Sequence, residues 1–125
     1  KKTVISLMGD GGFGMTISEL STAVEHKINT ITIVMNNKSW GAEKAYQKDF
    51  FGKRYLGADI SSPPFDKVAE LYGAKGFKVK KLNEINDAIK SALKIHKPVI
   101  IDVDVDPKAL YSFRKDSFKN KLNAN

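Results

Sequence analysis

Thr3-Val4-Ile5-Ser6-Leu7-Met8-Gly9-Asp10-Gly11-Gly12-Phe13-Gly14 is the stretch on which the reading of this chain turns. Thr3–Met8 is a short apolar run with β-branched residues, cut off by glycines, and it predicts a buried strand. Gly9 to Gly14 predicts a turn. Thr16 then predicts a helix N-cap, and Glu19 three residues on completes a capping box. Ile17, Leu20, Ala23 and Val24 fall at helical spacing, so the helix should run to about Lys27. Thr30–Met35 reads as a second strand, and Asn36-Asn37-Lys38-Ser39 as a polar turn at its carboxyl end.

Outward from this opening the same alternation continues. Trp40 to Ile60 is irregular and aromatic, which predicts a short helix and then a long loop, and Ser61-Ser62-Pro63-Pro64 is a break. Phe65, Val68, Ala69, Leu71 and Tyr72 outline a helix ending at Gly73 or Gly76. Phe77–Leu82 predicts a third strand, Glu84–Ile95 a helix, and Pro98–Val105 a fourth strand. The polar tail from Asp106 predicts some helix around Tyr111–Phe118. Strands alternating with helices predict an α/β fold, a doubly wound, mainly parallel sheet with helices on both faces. In such a sheet ligands bind at the carboxyl ends of the strands. Residues 1–107 form the expected domain and 108–125 a tail. Opening directly on a core strand, the chain reads as one module of something larger, incomplete at its N-terminus.

Composition narrows the function. The 125 residues are 42% hydrophobic and 28% charged, which fits one folded domain and not a disordered or collagenous chain. There is no Cys, hence no disulfide, thiol nucleophile or Cys-based zinc site, and His26 and His96 are far apart. No apolar run reaches the roughly 18–20 residues that cross a bilayer. Gly9 onward also cuts the first apolar run too short for a signal peptide, so a cytoplasmic protein is expected. The net charge of +7 points to anionic partners. Nineteen of the 21 basic side chains are scattered lysines, and only Arg54 and Arg114 are arginine. Base and phosphate readers lean on arginine, so a solvated lysine surface is expected and nucleic acid is not.

Gly9-Asp10-Gly11-Gly12-Phe13-Gly14 matches the spacing G-x-G-x-x-G of a dinucleotide turn. Two features argue against that use. Asp10 lies inside the turn, where it would repel a pyrophosphate, and the next strand ends in two amides, Asn36 and Asn37, where a carboxylate should hold a ribose. Both fit if a divalent cation lies between protein and diphosphate. Asp10 then offers a hard anionic oxygen, an Asn side chain a neutral one, and a backbone carbonyl and phosphate oxygens help complete the octahedron of Mg²⁺. Backbone N–H groups at Gly11 and Gly12 could face the same phosphates. The plain alternative is that Gly-Asp-Gly and Asn-Asn are each ordinary turn chemistry.

Gly9-Asp10-Gly11 with Asn36-Asn37 resembles the thiamine diphosphate motif GDG…NN of the acetolactate synthase and pyruvate decarboxylase group. The resemblance implies that Asp10, Asn37 and the Ser39 carbonyl bind Mg²⁺. It also implies that Gly11 and Gly12 approach the diphosphate and that Phe13 and Met15 help line the cofactor cleft, with Gly9, Trp40 and Gly41 among the cofactor-binding residues. Asn36-Asn37-Lys38-Ser39-Trp40-Gly41-Ala42-Glu43-Lys44, then Gln47, Asp49-Phe50 and Arg54, is similar to the sulfoacetaldehyde acetyltransferase branch. So is Tyr111-Ser112-Phe113-Arg114-Lys115-Asp116, although Ser112 and Lys115 stand where that branch has Pro and Arg. Enzymes of that branch convert sulfoacetaldehyde and phosphate to acetyl phosphate and sulfite. The resemblance therefore implies small anionic substrates, with Lys44 and Arg114 as candidate contacts, and a homodimer or homotetramer. It also implies that the Glu facing the aminopyrimidine lies on a domain outside this chain. The isolated chain should then bind cofactor weakly and turn nothing over. The alternatives are an acetolactate synthase or 2-oxo acid decarboxylase module, or a noncatalytic nucleotide- or anion-binding module.

Several residues keep two readings. Trp40 either caps the cofactor cleft or is plain core. Glu43 is either a second acid near the reacting centre or a helix-starting acid. Asp102, Asp104 and Asp106 either share a strand face as a second metal site or lead into a routine turn. His26 and His96 are explained by favourable contacts with helix ends.

Overall fold

The apolar, β-branched runs form one four-stranded sheet in the computed structural model, which describes residues 2–112. The strands are β1 (Val4–Gly9), β2 (Thr30–Asn36), β3 (Lys75–Val79) and β4 (Val99–Asp104). Every pairing is parallel and the order is β1-β2-β4-β3. The helices are α1 (Asp10–Thr16), α2 (Glu19–Glu25), α3 (Gly41–Phe50), α4 (Phe65–Leu71) and α5 (Ile85–Ala92). From β1 the chain advances across the sheet to β2 and then β3, and only the last crossover returns it, to β4. That reversal goes with helices on both faces. Phe13, Leu20, Phe65 and Ala69 from α1, α2 and α4 cover Val34 and Ile100. Ala88 and Ala92 from α5 cover Ile31, Val99, Ile101 and Val103 on the other side. The predicted doubly wound parallel sheet is what is found.

Five local expectations are corrected. β1 is a strand but not a buried one: Leu7 is 70% exposed, because β1 lies at the sheet edge and α5 covers only the far strands. The Gly9–Gly14 stretch is not a turn but the first helix, entered directly from the strand through Gly9. Helix propensity argues against three glycines here, at about 1 kcal/mol each relative to Ala. Packing overrides it, since Phe13 meets Phe65 edge to face at 5.1 Å. Thr16 is not an N-cap; its Oγ1 donates back to the carbonyls of Gly12 and Phe13, both at 3.4 Å, and α2 starts at Glu19. β3 is shifted to Lys75–Val79 because Gly73, at φ +90°, ends α4, so Gly76 is free to enter the strand beside Ile100. Past Val79 the amides of Lys80 and Lys81 donate to the Glu84 carboxylate, at 2.8 and 3.1 Å, which ends the strand. Those two bonds hold the Glu84 pKa below its ordinary value. The helix expected from Glu84 begins with a 3₁₀ turn at Leu82–Glu84. Residues 113–118 of the expected tail helix lie outside the described residues.

Two features of this scaffold can be tested by unfolding. A Cβ on Gly76 would lie 1.9 Å from the backbone oxygen of Asp66, so α4 would have to move off the sheet. Gly76→Ala should cost about 3 kcal/mol or more in denaturant unfolding; a loss under about 1 kcal/mol would contradict this packing. Lys78 sits between Asp102, 3.1 Å away, and Asp104. Burial pulls its ammonium pKa down, but hydrogen bonds and charge attraction from Asp104 and Asp102 raise it above the ordinary value on balance. Because the folded-state value is the higher one, this stabilisation is complete below the unfolded lysine pKa and is lost as pH rises through the folded one. Lys78→Met should therefore be less stable by about 3 kcal/mol at pH 7. That gap should shrink in the strongly alkaline range, and a pH-independent gap would refute the ion-pair origin.

Candidate cofactor site

The parallel topology brings the ends of β1 and β2 side by side, Gly9 opposite Met35. Asp10 leaves β1 as the first residue of α1 and is only 2% exposed. It has no cationic partner among the described residues. Its one hydrogen bond there is from Ser62 Oγ to its Oδ2, at 2.6 Å. Sequence reading missed Ser62, which looked like part of a break. Its approach depends on the loop before α4 folding back over α1, which no local pattern signals.

Beyond β2, Asn36 and Asn37 build two successive Asx turns. Asn36 Oδ1 accepts from the Lys38 amide at 3.3 Å and Asn37 Oδ1 from the Ser39 amide at 3.1 Å. Together they force Lys38 into the left-handed region, φ +55°. The loop is pinned from the far side as well: Trp40 N donates to Ala58 O at 2.8 Å and Ile60 N to Lys38 O at 3.0 Å. Ser39 is buried, and its Oγ is the one buried side-chain polar atom without a partner among the described residues.

Two glycines explain how the loops meet. The Trp40 ring lies on Gly11, where a Cβ would stand 2.7 Å from its Cε3 and Cζ3. Asn37 Nδ2 lies against Gly41, 2.8 Å from where a Cβ would be. Both positions therefore need glycine. Trp40 is the contact between α1 and the asparagine loop, and its ring lies at the cavity's wall. A cavity of about 250 Å³ opens here, walled by Asp10, Gly11, Met15, Trp40, Ser62 and Phe65 among others.

Of the predicted site residues, Asp10, Gly11, Met15 and Trp40 share this cavity, Asn37 and Ser39 lie on the adjoining loop, and Gly41 opens α3. Gly9 and Gly12 have open space beside them. Phe13 instead turns into the core against Phe65. Glu43 lies in the first turn of α3 and faces a different, larger cavity of about 630 Å³, shared with Tyr46, Gln47 and Arg54. Size does not make that cavity the site: it contains neither Asp10 nor any residue of the asparagine loop. Lys44 is committed to an ion pair with Asp59 and stacks over Tyr55 at 5.5 Å. Arg114 lies outside the described residues.

The Asp102, Asp104 and Asp106 run is not a metal cluster. Lys78 bridges Asp102 and Asp104, and Asp106 Oδ1 accepts from the Lys108 amide at 2.8 Å. No group of three His, Cys, Asp or Glu residues among the described ones is arranged to hold a metal. The Asp10 carboxylate, the Asn37 carboxamide and a backbone carbonyl are a different kind of set. They are hard oxygens that leave positions for phosphate, which suits Mg²⁺. No helix in the described residues is long and apolar enough to cross a membrane.

The chain is similar to known proteins over most of its length. The sequence profile described as thiamine pyrophosphate enzyme, C-terminal TPP binding domain, matches residues 1–103. A probable acetolactate synthase large subunit of Methanococcus aeolicus is 36% identical over 110 residues, 87% of this chain and 18% of that protein. A sulfoacetaldehyde acetyltransferase of Castellaniella defragrans is 32% identical over 125 residues, 97% of this chain and 21% of that protein. Among solved structures, the thiamine diphosphate-dependent 4-hydroxybenzoylformate decarboxylase of Rhodococcus jostii RHA1 superposes with TM-score 0.79 at 32% identity, over 85% of this chain and 20% of its own. The benzoylformate decarboxylase of Polynucleobacter necessarius gives TM-score 0.81 at 28% identity, over 90% and 21%. The chain spans about a fifth of the length of the curated relatives it matches. It belongs to the C-terminal, cofactor-binding domain family of the thiamine pyrophosphate enzymes.

Proposed function

We propose that this chain is the Mg²⁺–thiamine diphosphate-binding domain of an acyltransferase, with sulfoacetaldehyde and phosphate as its substrates, the carbon–sulfur bond breaking to release sulfite and phosphate taking the acetyl unit. The observation that carries the metal–diphosphate part is Asp10. A carboxylate this buried needs a cation or a full set of hydrogen bonds, and a single serine hydroxyl is little compensation. In this reading Asp10, Asn37 and the Ser39 carbonyl hold the ion. Gly11 and Gly12 lie in the first turn of α1, whose backbone N–H groups lack intrahelical acceptors and can face the phosphates. Met15 and Trp40 supply apolar wall. The bound cofactor supplies the carbanion-stabilising chemistry, and the protein supplies orientation and charge. Arg54 lines the 630 Å³ cavity on α3 and the loop after it and is one candidate contact for a small anion, while Glu43 there is an acid that an anion would avoid. Arg114 is the second candidate for that role. Lys44 enters it only by giving up Asp59.

The substrate choice rests on the Asn36–Lys44 stretch and on a similarity to the Castellaniella acetyltransferase that runs over 97% of the chain. An acetolactate synthase-like module is the second reading, favoured by the 36% identity to the Methanococcus protein. In either case we place the chain within a larger homodimeric or homotetrameric enzyme of the cytoplasm.

Two measurements on the intact protein test this. Calorimetric titration with thiamine diphosphate should show binding that requires Mg²⁺, and Asp10→Ala should weaken it by about a hundredfold or more, roughly 2.7 kcal/mol. Metal-independent binding that survives the substitution would refute the site and favour a plain anion-binding module. Incubation with sulfoacetaldehyde and phosphate should yield acetyl phosphate and sulfite, whereas acetolactate from pyruvate would establish the second reading.

A further inference from the structure

Asp102 is fully buried and does not line the cofactor cavity, yet its carboxylate is engaged from three directions. Its Oδ1 accepts from Asn36 Nδ2 at 3.1 Å. Its Oδ2 accepts from the Phe65 backbone amide at 3.0 Å and from Lys78 Nζ at 3.1 Å. Two of these partners lead straight to the candidate site. Asn36 immediately precedes Asn37 and turns the loop that carries Ser39. Phe65 opens α4 at the end of the segment from which Ser62 reaches Asp10. One carboxylate therefore holds both the asparagine loop and the segment whose Ser62 fixes the Asp10 carboxylate. Charge-assisted bonds of this kind are short and stiff in a low-dielectric interior, and a metal site tolerates only about 0.5 Å of slack in its ligands.

We infer that Asp102 is a positioning residue for the metal–diphosphate site, setting the asparagine loop through Asn36 and the Ser62 arm through the Phe65 amide. The inference rests on the function proposed above. Neither arm touches the metal through Asp102 itself, so the effect is on ligand placement.

The test is Mn²⁺ uptake by the intact protein at saturating thiamine diphosphate, followed by electron paramagnetic resonance, with thermal melts alongside. Asp102→Asn keeps the size but offers one acceptor oxygen to three donors. Asn36→Ala leaves the buried carboxylate in place and cuts one arm, so it decides the matter if Asp102→Asn does not fold. Both should weaken Mn²⁺ binding about 10–100-fold, the usual effect of losing a partner behind a metal ligand. Lys78→Met strips the same carboxylate of a donor without touching either arm, so it should lower the melting temperature while Mn²⁺ affinity stays within about threefold. Unchanged Mn²⁺ affinity in Asn36→Ala and Asp102→Asn overturns the inference. So does a loss of affinity in all three variants that simply tracks their melting temperatures. If the unsubstituted protein takes up no Mn²⁺ with thiamine diphosphate, the functional reading itself falls, and this inference with it, before any variant is compared.

Discussion

A carboxylate held out of water has to be neutralised, and that constraint organises one end of this sheet. Asp102 meets it internally, with an amide, a backbone N–H and a lysine converging from three elements. Asp10 does not. It sits at the carboxyl end of β1, nearly as buried, with one hydroxyl for company among the described residues. Two buried carboxylates, Asp10 at the end of β1 and Asp102 within β4, thus have different surroundings. Asp102 has three donors and Asp10 one among the described residues, and in the proposed reading it is Asp10 that takes the cation. The apolar layers of Phe13, Phe65, Val34 and Ile100 beneath them keep water away and sharpen the difference.

The same logic explains the glycines. Gly11 and Gly41 are not permissive hinges here; they are contact points where a ring and a carboxamide come closer than any side chain would allow. The glycine at 11 lets the Trp40 ring close over the start of α1, and the glycine at 41 lets Asn37 lie flat on α3. Propensity is sacrificed for proximity between α1 and the asparagine loop.

Much of this was legible in the sequence. The order of strands and helices and the parallel sheet follow from hydrophobic period, and turn chemistry put the Asn36-Asn37 turn at the carboxyl end of β2, beside the end of β1 that leads into Asp10. What could not be read depends on contacts between distant segments. The helix across Asp10–Thr16 defeats its own glycines only because Phe13 finds Phe65. β1 looks like a core strand by composition, but its place at the sheet edge is a property of topology. Ser62 gave no signal, because a serine in a Ser-Ser-Pro-Pro break reads as punctuation until the loop is folded onto Asp10. The aspartates of β4 were ambiguous for the converse reason: the lysine that answers them lies on β3, and nothing in the spacing announces it.

The most direct test of the account is a crystal structure of the intact protein grown with thiamine diphosphate and Mn²⁺, with anomalous scattering used to place the ion. The account predicts a manganese peak about 2.0–2.3 Å from an Asp10 carboxylate oxygen and from the Asn37 carboxamide oxygen, with the diphosphate on its open side. A cofactor bound elsewhere, or these two side chains turned apart with no anomalous density between them, would contradict it.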